Sequence, residues 1–516
     1  MAWQLALTLA PDSDLPLFLQ IARALTDDIR RGRLHPGDPL PGSRRLAETL
    51  AVHRNTVLAA YRELQAEGWI TTRPAGGTYV STELPDPAPR RFARRAAARS
   101  EMPARPGYDL GPAIEAHEWV GAERAPGVLV LAGGGPDTRL VPASLLARAY
   151  RRALRAQGRG VLGYGDPRGH ERLRVALAAM LSALRGLAAT PDTVMVTRGS
   201  QMALDMVARA LVRPGDVIAV EALGYRPAWG ALRQAGARLI PVPVDEGGLR
   251  VDHLAALAER EPLRAVYLTP HHQYPTTVVL APGRRLALLE LARVRRLAIV
   301  EDDYDNEFHY DGRPVLPLAS ADPAGTVIYI GTLSKLLAPG LRLGFVVAPG
   351  PLIERLAALR LLADRQGDHA VEAAVAELIE DGELGRHARR AHRAYRARRD
   401  ALAEALRHEL GDVLEFQVPA GGMALWVRVD EAVDVDAWAE AGRTARVVFG
   451  PGRRFAFDGR ARPFARLGFA ALEESELREA VRRMKAALRA VRSPSGVSER
   501  GEVFRRSAPK DDMGLT

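Results

Sequence analysis

Cysteine is absent from all 516 residues, which excludes disulfides, thiolate metal sites and cysteine nucleophiles and fits a reducing cytoplasm. No window of about eighteen uninterrupted apolar residues occurs, and the first residues lack the basic start and small-residue cleavage site of a secretion signal. Export and membrane insertion are not expected, and a cytoplasmic location is. Aromatic residues are sparse at 6%, but 47% hydrophobic and 26% charged residues describe an ordinary folded chain. Its length exceeds what one core usually serves, so two or more domains are expected.

Formal net charge is +10 and the pI is near 10.1, a balance that favours an anionic partner such as nucleic acid. An arginine-rich chain can be basic everywhere, so the decision falls to local motifs.

Along the chain, residues 1–81 contain a compact three-helix unit with a wing. Residues 82–127 repeat proline, alanine and arginine without a sustained apolar period and are expected to be a linker. Roughly forty residues of flexible coil would span about 35 Å. From 128 to 491, apolar runs at 194–196, 217–220, 265–268, 297–300, 327–330 and 345–348 alternate with helical stretches. That order predicts an α/β domain with a mainly parallel sheet and helices on both faces. The polar tail, 492–516, is expected to be disordered.

In the first unit, 16–31 has helical apolar spacing and is broken by His35-Pro36-Gly37. Ser43 then stands where an N-cap would open a second helix, with Leu46, Ala47 and Leu50 inward. A short turn leads into a third helix over 54–65. Its first turn, Arg54-Asn55-Thr56, offers a guanidinium, an amide and a hydroxyl, groups that bond base edges and phosphates in a major groove. Arg44 and Arg45 fall on the same side. A hairpin over 69–73 and 78–81 turns through Ala75-Gly76-Gly77, whose glycines suit a wing tip close to a phosphate backbone.

This unit resembles the GntR family of winged-helix repressors through Pro16-Leu17, Gln20-Ile21, Gly32-Arg33-Leu34, Pro36-Gly37, Leu40-Pro41, Ser43-Arg44, Leu46-Ala47, Arg54-Asn55-Thr56-Val57, Ala60-Tyr61, Glu67-Gly68 and Gly77-Thr78. The resemblance implies that Arg44 and Arg54 contact double-stranded DNA and that Gly77 lies in the wing. His53 occupies the place where the family usually has serine or threonine.

In the second unit, Ser200, Tyr225, His272, Asp302 and Lys335 all follow apolar runs, which places them at the carboxyl ends of strands, where open α/β sheets bind ligands. A pyridoxal phosphate pocket needs a lysine for the Schiff base, a carboxylate against the ring nitrogen and a phosphate cradle. Lys335 and Asp302 supply the first two. Ser200 and Gln201 at a helix start, with Thr332, Ser334 and Arg342, would cradle the phosphate. Tyr225 is placed to stack on the ring, and Tyr304 to bond its hydroxyl. The His271-His272 pair has no third ligand at ligand spacing, so no metal site is expected.

These stretches resemble the fold-type-I aminotransferases, as do Tyr164-Gly165-Asp166-Pro167, Arg342-Leu343-Gly344, Gly421-Gly422-Met423 and Arg466-Leu467-Gly468. The resemblance implies a homodimer with pockets at its interface, in which Tyr164 reaches the neighbouring subunit's phosphate and Arg466 clamps an amino acid's carboxylate. Tyr274 takes the place of the asparagine of the Asn-Pro-Thr-Gly run common in that family. The order of the two units, with His-Gln-Tyr-Pro and Glu-Asp-Asp-Tyr-Asp, is similar to the MocR/GabR regulators. That group implies a regulator in which pyridoxal phosphate bonds Lys335 and the body senses an amino compound or the coenzyme itself, the dimer being head-to-tail. A working aminotransferase carrying a DNA-binding head would share the same first chemical steps.

Overall fold

The computed structural model describes residue 9 and residues 15–73, 76–85, 105–110 and 125–492. The chain divides into two compact units, 1–113 and 114–516. Most of the expected linker and all but the first residue of the expected tail lie outside the described residues, as does Ala75 of the wing tip.

The smaller unit is built from α1 (Leu17–Arg30), α2 (Ser43–Thr49) and α3 (Arg54–Ala66), followed by the hairpin β1 (Ile70–Arg73) and β2 (Gly77–Val80). Ile21, Leu25 and Ile29 of α1 meet Leu46 of α2 and Val57, Tyr61 and Leu64 of α3 in one buried cluster, closed below by Trp69 and Val80. Periodic apolar positions on each helix therefore converge on a single core. In the hairpin, Ile70 pairs with Val80 and Arg73 with Gly77.

One capping expectation changes, and the cap of the third helix is unusual. Ser43 is the first residue of α2, not its cap, and Gly42 precedes it with no side-chain bond to the helix. The Ser43 hydroxyl instead accepts from Nε of Arg54 at 3.3 Å. At α3, His53 does the capping: its Nδ1 accepts from the backbone N–H of Asn55 at 3.2 Å, so an imidazole satisfies one of the helix's free donors where a hydroxyl would ordinarily do so.

The larger unit is organised by a seven-stranded sheet. Its strands are β3 (Val194–Thr197), β4 (Val217–Glu221), β5 (Arg238–Val242), β6 (Leu263–Leu268), β7 (Ala298–Asp303), β8 (Val327–Thr332) and β9 (Gly344–Val347). They lie in the order β3-β9-β8-β7-β6-β4-β5. Only β9 runs against its neighbours β8 and β3, and the other pairings are parallel. Strands β3, β4 and β8 are buried along their whole length, as their Val and Ile runs require of a sheet covered by helices. Residues of α4 (Gly199–Leu211) and α5 (Arg226–Gln234) share a core with one face, through Leu204, Val207, Trp229 and Leu232. Each of the six apolar runs in the sequence proves to be a strand.

A second sheet of four short antiparallel strands, β10 (Leu414–Glu415), β11 (Ala424–Val429), β12 (Gly450–Pro451) and β13 (Phe464–Gly468), carries Arg466. Among the described residues no helix is long and apolar enough to cross a membrane.

Candidate functional site

All parallel strands of the large sheet end at one edge, and the candidate residues gather there. Asp302 is the penultimate residue of β7, and Lys335 lies three residues beyond β8. Because β9 runs back antiparallel, the same short connection also carries Arg342, just before β9 begins.

Asp302 is buried, and Tyr267 of β6 donates its hydroxyl to Oδ2 at 2.9 Å. Oδ1 is buried with no partner. Burial pushes the Asp302 carboxyl up to about 7, with Asp303 and Asp305 adding to the rise and Tyr267 opposing it. Asp303, on the opposite face of β7, is bonded differently. Its Oδ2 accepts from Tyr329 at 2.6 Å and from Asn306 at 2.8 Å. Alternation along one strand thus sends the two carboxylates to different partners, and each keeps one buried oxygen, Oδ1, without a partner.

Burial lowers the Lys335 ammonium to about 8, with Arg466 nearby reinforcing the effect and the two aspartates Asp305 and Asp302 opposing it. A lysine so placed loses its proton far more readily than a surface lysine, which is what a nucleophilic amine requires.

At the start of α4, Gly199 has φ +77° and faces Arg342, whose guanidinium would lie 2.9 Å from any Cβ added there. Gly344 of β9 packs so closely on this turn that an added Cβ would stand 2.6 Å from the Gly199 carbonyl carbon. Two glycines therefore let the helix start, the strand start and the arginine converge. Arg342 donates to the Arg198 carbonyl at 2.8 Å, which fixes its head beside the free amides of α4, a pairing suited to an anion.

Other expected residues are placed differently in detail. The Thr332 hydroxyl donates to the Leu343 carbonyl at 3.2 Å and accepts from the Ser334 N–H at 3.1 Å, so it helps hold the turn together. Gln201 donates its amide to the Pro227 carbonyl at 3.0 Å, tying α4 to α5. The Tyr304 hydroxyl donates to the His272 carbonyl at 3.0 Å, leaving it only acceptor capacity. Tyr225 caps α5 and meets Tyr274 edge-on at 5.5 Å. Tyr164 is 82% exposed, with the Arg365 guanidinium over its ring. In the smaller unit Arg44, Arg45, Arg54, Asn55 and Gly77 are all exposed and Thr56 is half-buried.

Arg466 is 1% exposed, yet among the described residues it has no carboxylate partner. It donates to the Gly133 carbonyl at 3.2 Å, lies over the Tyr274 ring at 4.6 Å, and keeps a buried, unpartnered Nε. A buried guanidinium with no anionic partner is costly unless an anion arrives. Beside it a cavity of about 1370 Å³ opens, lined by Gly133, Tyr225, Arg226, Tyr274, Arg453 and Phe455.

The sequence reasoning missed Tyr267, Asp305 and His309. Tyr267 was legible as an aromatic inside an apolar strand; His309 was not, because it reaches His271 and His272 only through the fold.

Residues 127–484 match the family described as aminotransferase class I and II, and residues 17–80 match the bacterial regulatory proteins, gntR family. Across 94% of this chain and 97% of its own length, the probable rhizopine catabolism regulatory protein MocR of Rhizobium meliloti is 33% identical. The chain is a MocR-type regulator. As such it is also similar to the pyridoxine biosynthesis transcriptional regulator PdxR of Corynebacterium glutamicum, at 31% identity over 84% of this chain and 90% of that one. Among solved structures, this MocR-type chain resembles the α-aminoadipate aminotransferase LysN of Thermus thermophilus, complexed with N-(5'-phosphopyridoxyl)-L-leucine. That match has a TM-score of 0.68 and 31% identity, and covers 73% of this chain and 96% of that one. The regulator therefore joins a GntR-type DNA-binding head to a body with the fold of a fold-type-I aminotransferase.

Proposed function

We propose that this regulator binds pyridoxal phosphate at the edge formed by β3, β4, β6, β7 and β8, and that an amino compound or the coenzyme itself sets its grip on DNA. The observation that carries the reading is the set of buried polar groups left without partners on one edge: Oδ1 of Asp302 and Nε of Arg466, flanking a lysine that burial makes easy to deprotonate. When bound, the coenzyme supplies an aldehyde that amines can attack and an electron-withdrawing ring.

The chain's own residues divide the remaining roles. Lys335 gives up its Nζ proton and offers the attacking amine. Asp302 keeps a carboxylate oxygen for the ring nitrogen's proton, with Tyr267 holding the other oxygen still. Arg342, Ser200, Ser334 and the amides at the start of α4 hold the phosphate, Gln201 brings α5 up to that helix, and Thr332 keeps the Lys335 turn in shape. Tyr225 covers one face of the ring and Tyr304 accepts from its hydroxyl. Arg466 holds the carboxylate of an incoming amino compound, which the planar fork of a guanidinium matches well. Exposed Tyr164 reaches the phosphate of a second subunit in a head-to-tail homodimer.

In the head, Arg54, Asn55 and Thr56 read the major groove, Arg44 and Arg45 hold phosphates, and Gly77 lets the wing approach the backbone. Two heads would then read two half-sites spaced by turns of the duplex. To reverse a 1:99 balance between two arrangements, a ligand needs about 5.5 kcal/mol of preference for one of them; a covalent bond plus an ion pair is of that order.

The test is operator binding by the full-length protein on DNA upstream of its own gene, first without and with pyridoxal phosphate, then across a panel of amino compounds. Lys335→Ala should abolish the coenzyme absorbance and the ligand response while leaving DNA affinity. Unchanged absorbance in that variant would defeat the assignment, and steady turnover of amino donors with a keto acid would favour a working enzyme.

A further inference from the structure

Beside the coenzyme residues, at the same edge of the sheet, lies a group of histidines that the proposed chemistry does not use. His271 and His272 follow β6, and His309 follows β7. Each can offer one ring nitrogen such that all three lie within 4.8 Å of one another. His271 and His272 are 2% and 1% exposed. Four of the six ring nitrogens, both of His271, Nε2 of His272 and Nδ1 of His309, are buried with no hydrogen-bond partner. A purely structural histidine would be expected to bond at least one nitrogen, since buried polar groups are rarely left alone.

We propose that His271, His272 and His309 form a zinc site. Three features of the surroundings fit it. First, Nδ1 of His272 is paired with Oδ1 of Asp305 at 2.8 Å. That pairing fixes the tautomer and leaves Nε2 as the lone-pair donor, the carboxylate–histidine arrangement found around metals. Second, Gly421 packs against that ring: a Cβ there would collide with Nε2 and Cε1 of His272, so the ring keeps this position only beside a glycine. Third, the His309 backbone is held by His392, whose Nε2 lies 2.7 Å from the His309 carbonyl.

Three neutral imidazoles without a thiolate suit zinc in a four-coordinate site whose last position is water. Bond lengths of about 2.0–2.1 Å require the rings to draw inward by roughly 1 Å. Occupation would pin the segment after β6, whose His272 carbonyl receives the Tyr304 hydroxyl, to the segment after β7. The site depends on histidine geometry and not on the coenzyme, so it can be tested apart from the proposed function.

The experiment uses tag-free full-length protein, stripped with a chelator, returned to zinc and dialysed, with metal counted by mass spectrometry. One zinc per chain is expected, and cobalt in its place should give the visible bands of a tetrahedral centre. His271→Asn and His309→Asn should each lose the stoichiometric metal, whereas His253→Asn, an exposed histidine elsewhere, should keep it. Asp305→Asn should retain zinc with affinity lowered about 10- to 100-fold. Circular dichroism checks folding; should His271→Asn fail to fold, the half-buried His309 carries the test. A wild type that holds no zinc, or variants at His271 and His309 that hold as much as the wild type, would overturn the site.

Discussion

Tyr267 donates its hydroxyl to one oxygen of Asp302 at 2.9 Å while the other oxygen is buried without a partner. The tyrosine belongs to the neighbouring strand β6 and opposes the upward pressure that burial exerts on the carboxyl. Removing it with Tyr267→Phe should protonate Asp302 more readily and weaken its hold on a cationic ring. A hydrogen bond to a charged group is worth about 1.5–3 kcal/mol, so coenzyme titrations followed by absorbance should show affinity falling by roughly ten- to a hundredfold. An unchanged titration would remove Asp302 from the pocket's machinery.

Glu221 gives a pH-dependent prediction free of the coenzyme. It is buried at the end of β4, accepts from the Thr269 N–H and hydroxyl, and is raised to about 8 by burial. Its unfolded value is near 4, so between about pH 4 and 8 the native chain holds a proton that the unfolded chain has lost. Native protein binds more protons there, and its stability falls as pH rises through that window. Glu221→Gln removes this contribution. Thermal melts of the coenzyme-free variant and wild type should diverge by a few kcal/mol toward pH 8, in the variant's favour, and parallel curves would refute the assignment.

Arg54 opens α3, is exposed, and has its Nε held by the Ser43 hydroxyl. Arg54→Ala should weaken operator binding by about 1–3 kcal/mol if it reads a base, or reduce the salt dependence by about one counterion if it meets a phosphate. Fluorescence anisotropy at several salt concentrations separates the two, and no change in either quantity would take Arg54 out of the interface.

His53 accepts from the Asn55 N–H at 3.2 Å. Losing a helix cap costs about 1 kcal/mol, so His53→Ala should speed hydrogen exchange in the first turn of α3, and His53→Ser should restore protection. Equal exchange in all three proteins would show that the imidazole contributes nothing there.

The sequence exposed what local rules govern. Strands such as Val194–Thr197 and Val327–Thr332 are β-branched runs between turn signals, and the residues after them must fall at one edge once the strands are parallel. It hid whatever depends on distant pairs. Strand β5 escaped notice because Arg238 and Pro241 break its apolar pattern, which only an edge position tolerates. Ser43 looked like a cap because of its type, but the backbone places Gly42 there. The expectation of no metal site rested on spacing along the chain, where His309 stands far from the His271-His272 pair; the three come together only when β6 and β7 lie side by side.

The antiparallel course of β9 has an evolutionary corollary. A strand that turns straight back needs no long crossover helix, so Lys335 and Arg342 share one brief loop, 333–343, anchored at both ends to adjacent strands. Adding or deleting a single residue in that loop would shift both groups together. Drift in this lineage should therefore tolerate exchanges of residue type here far better than changes of length.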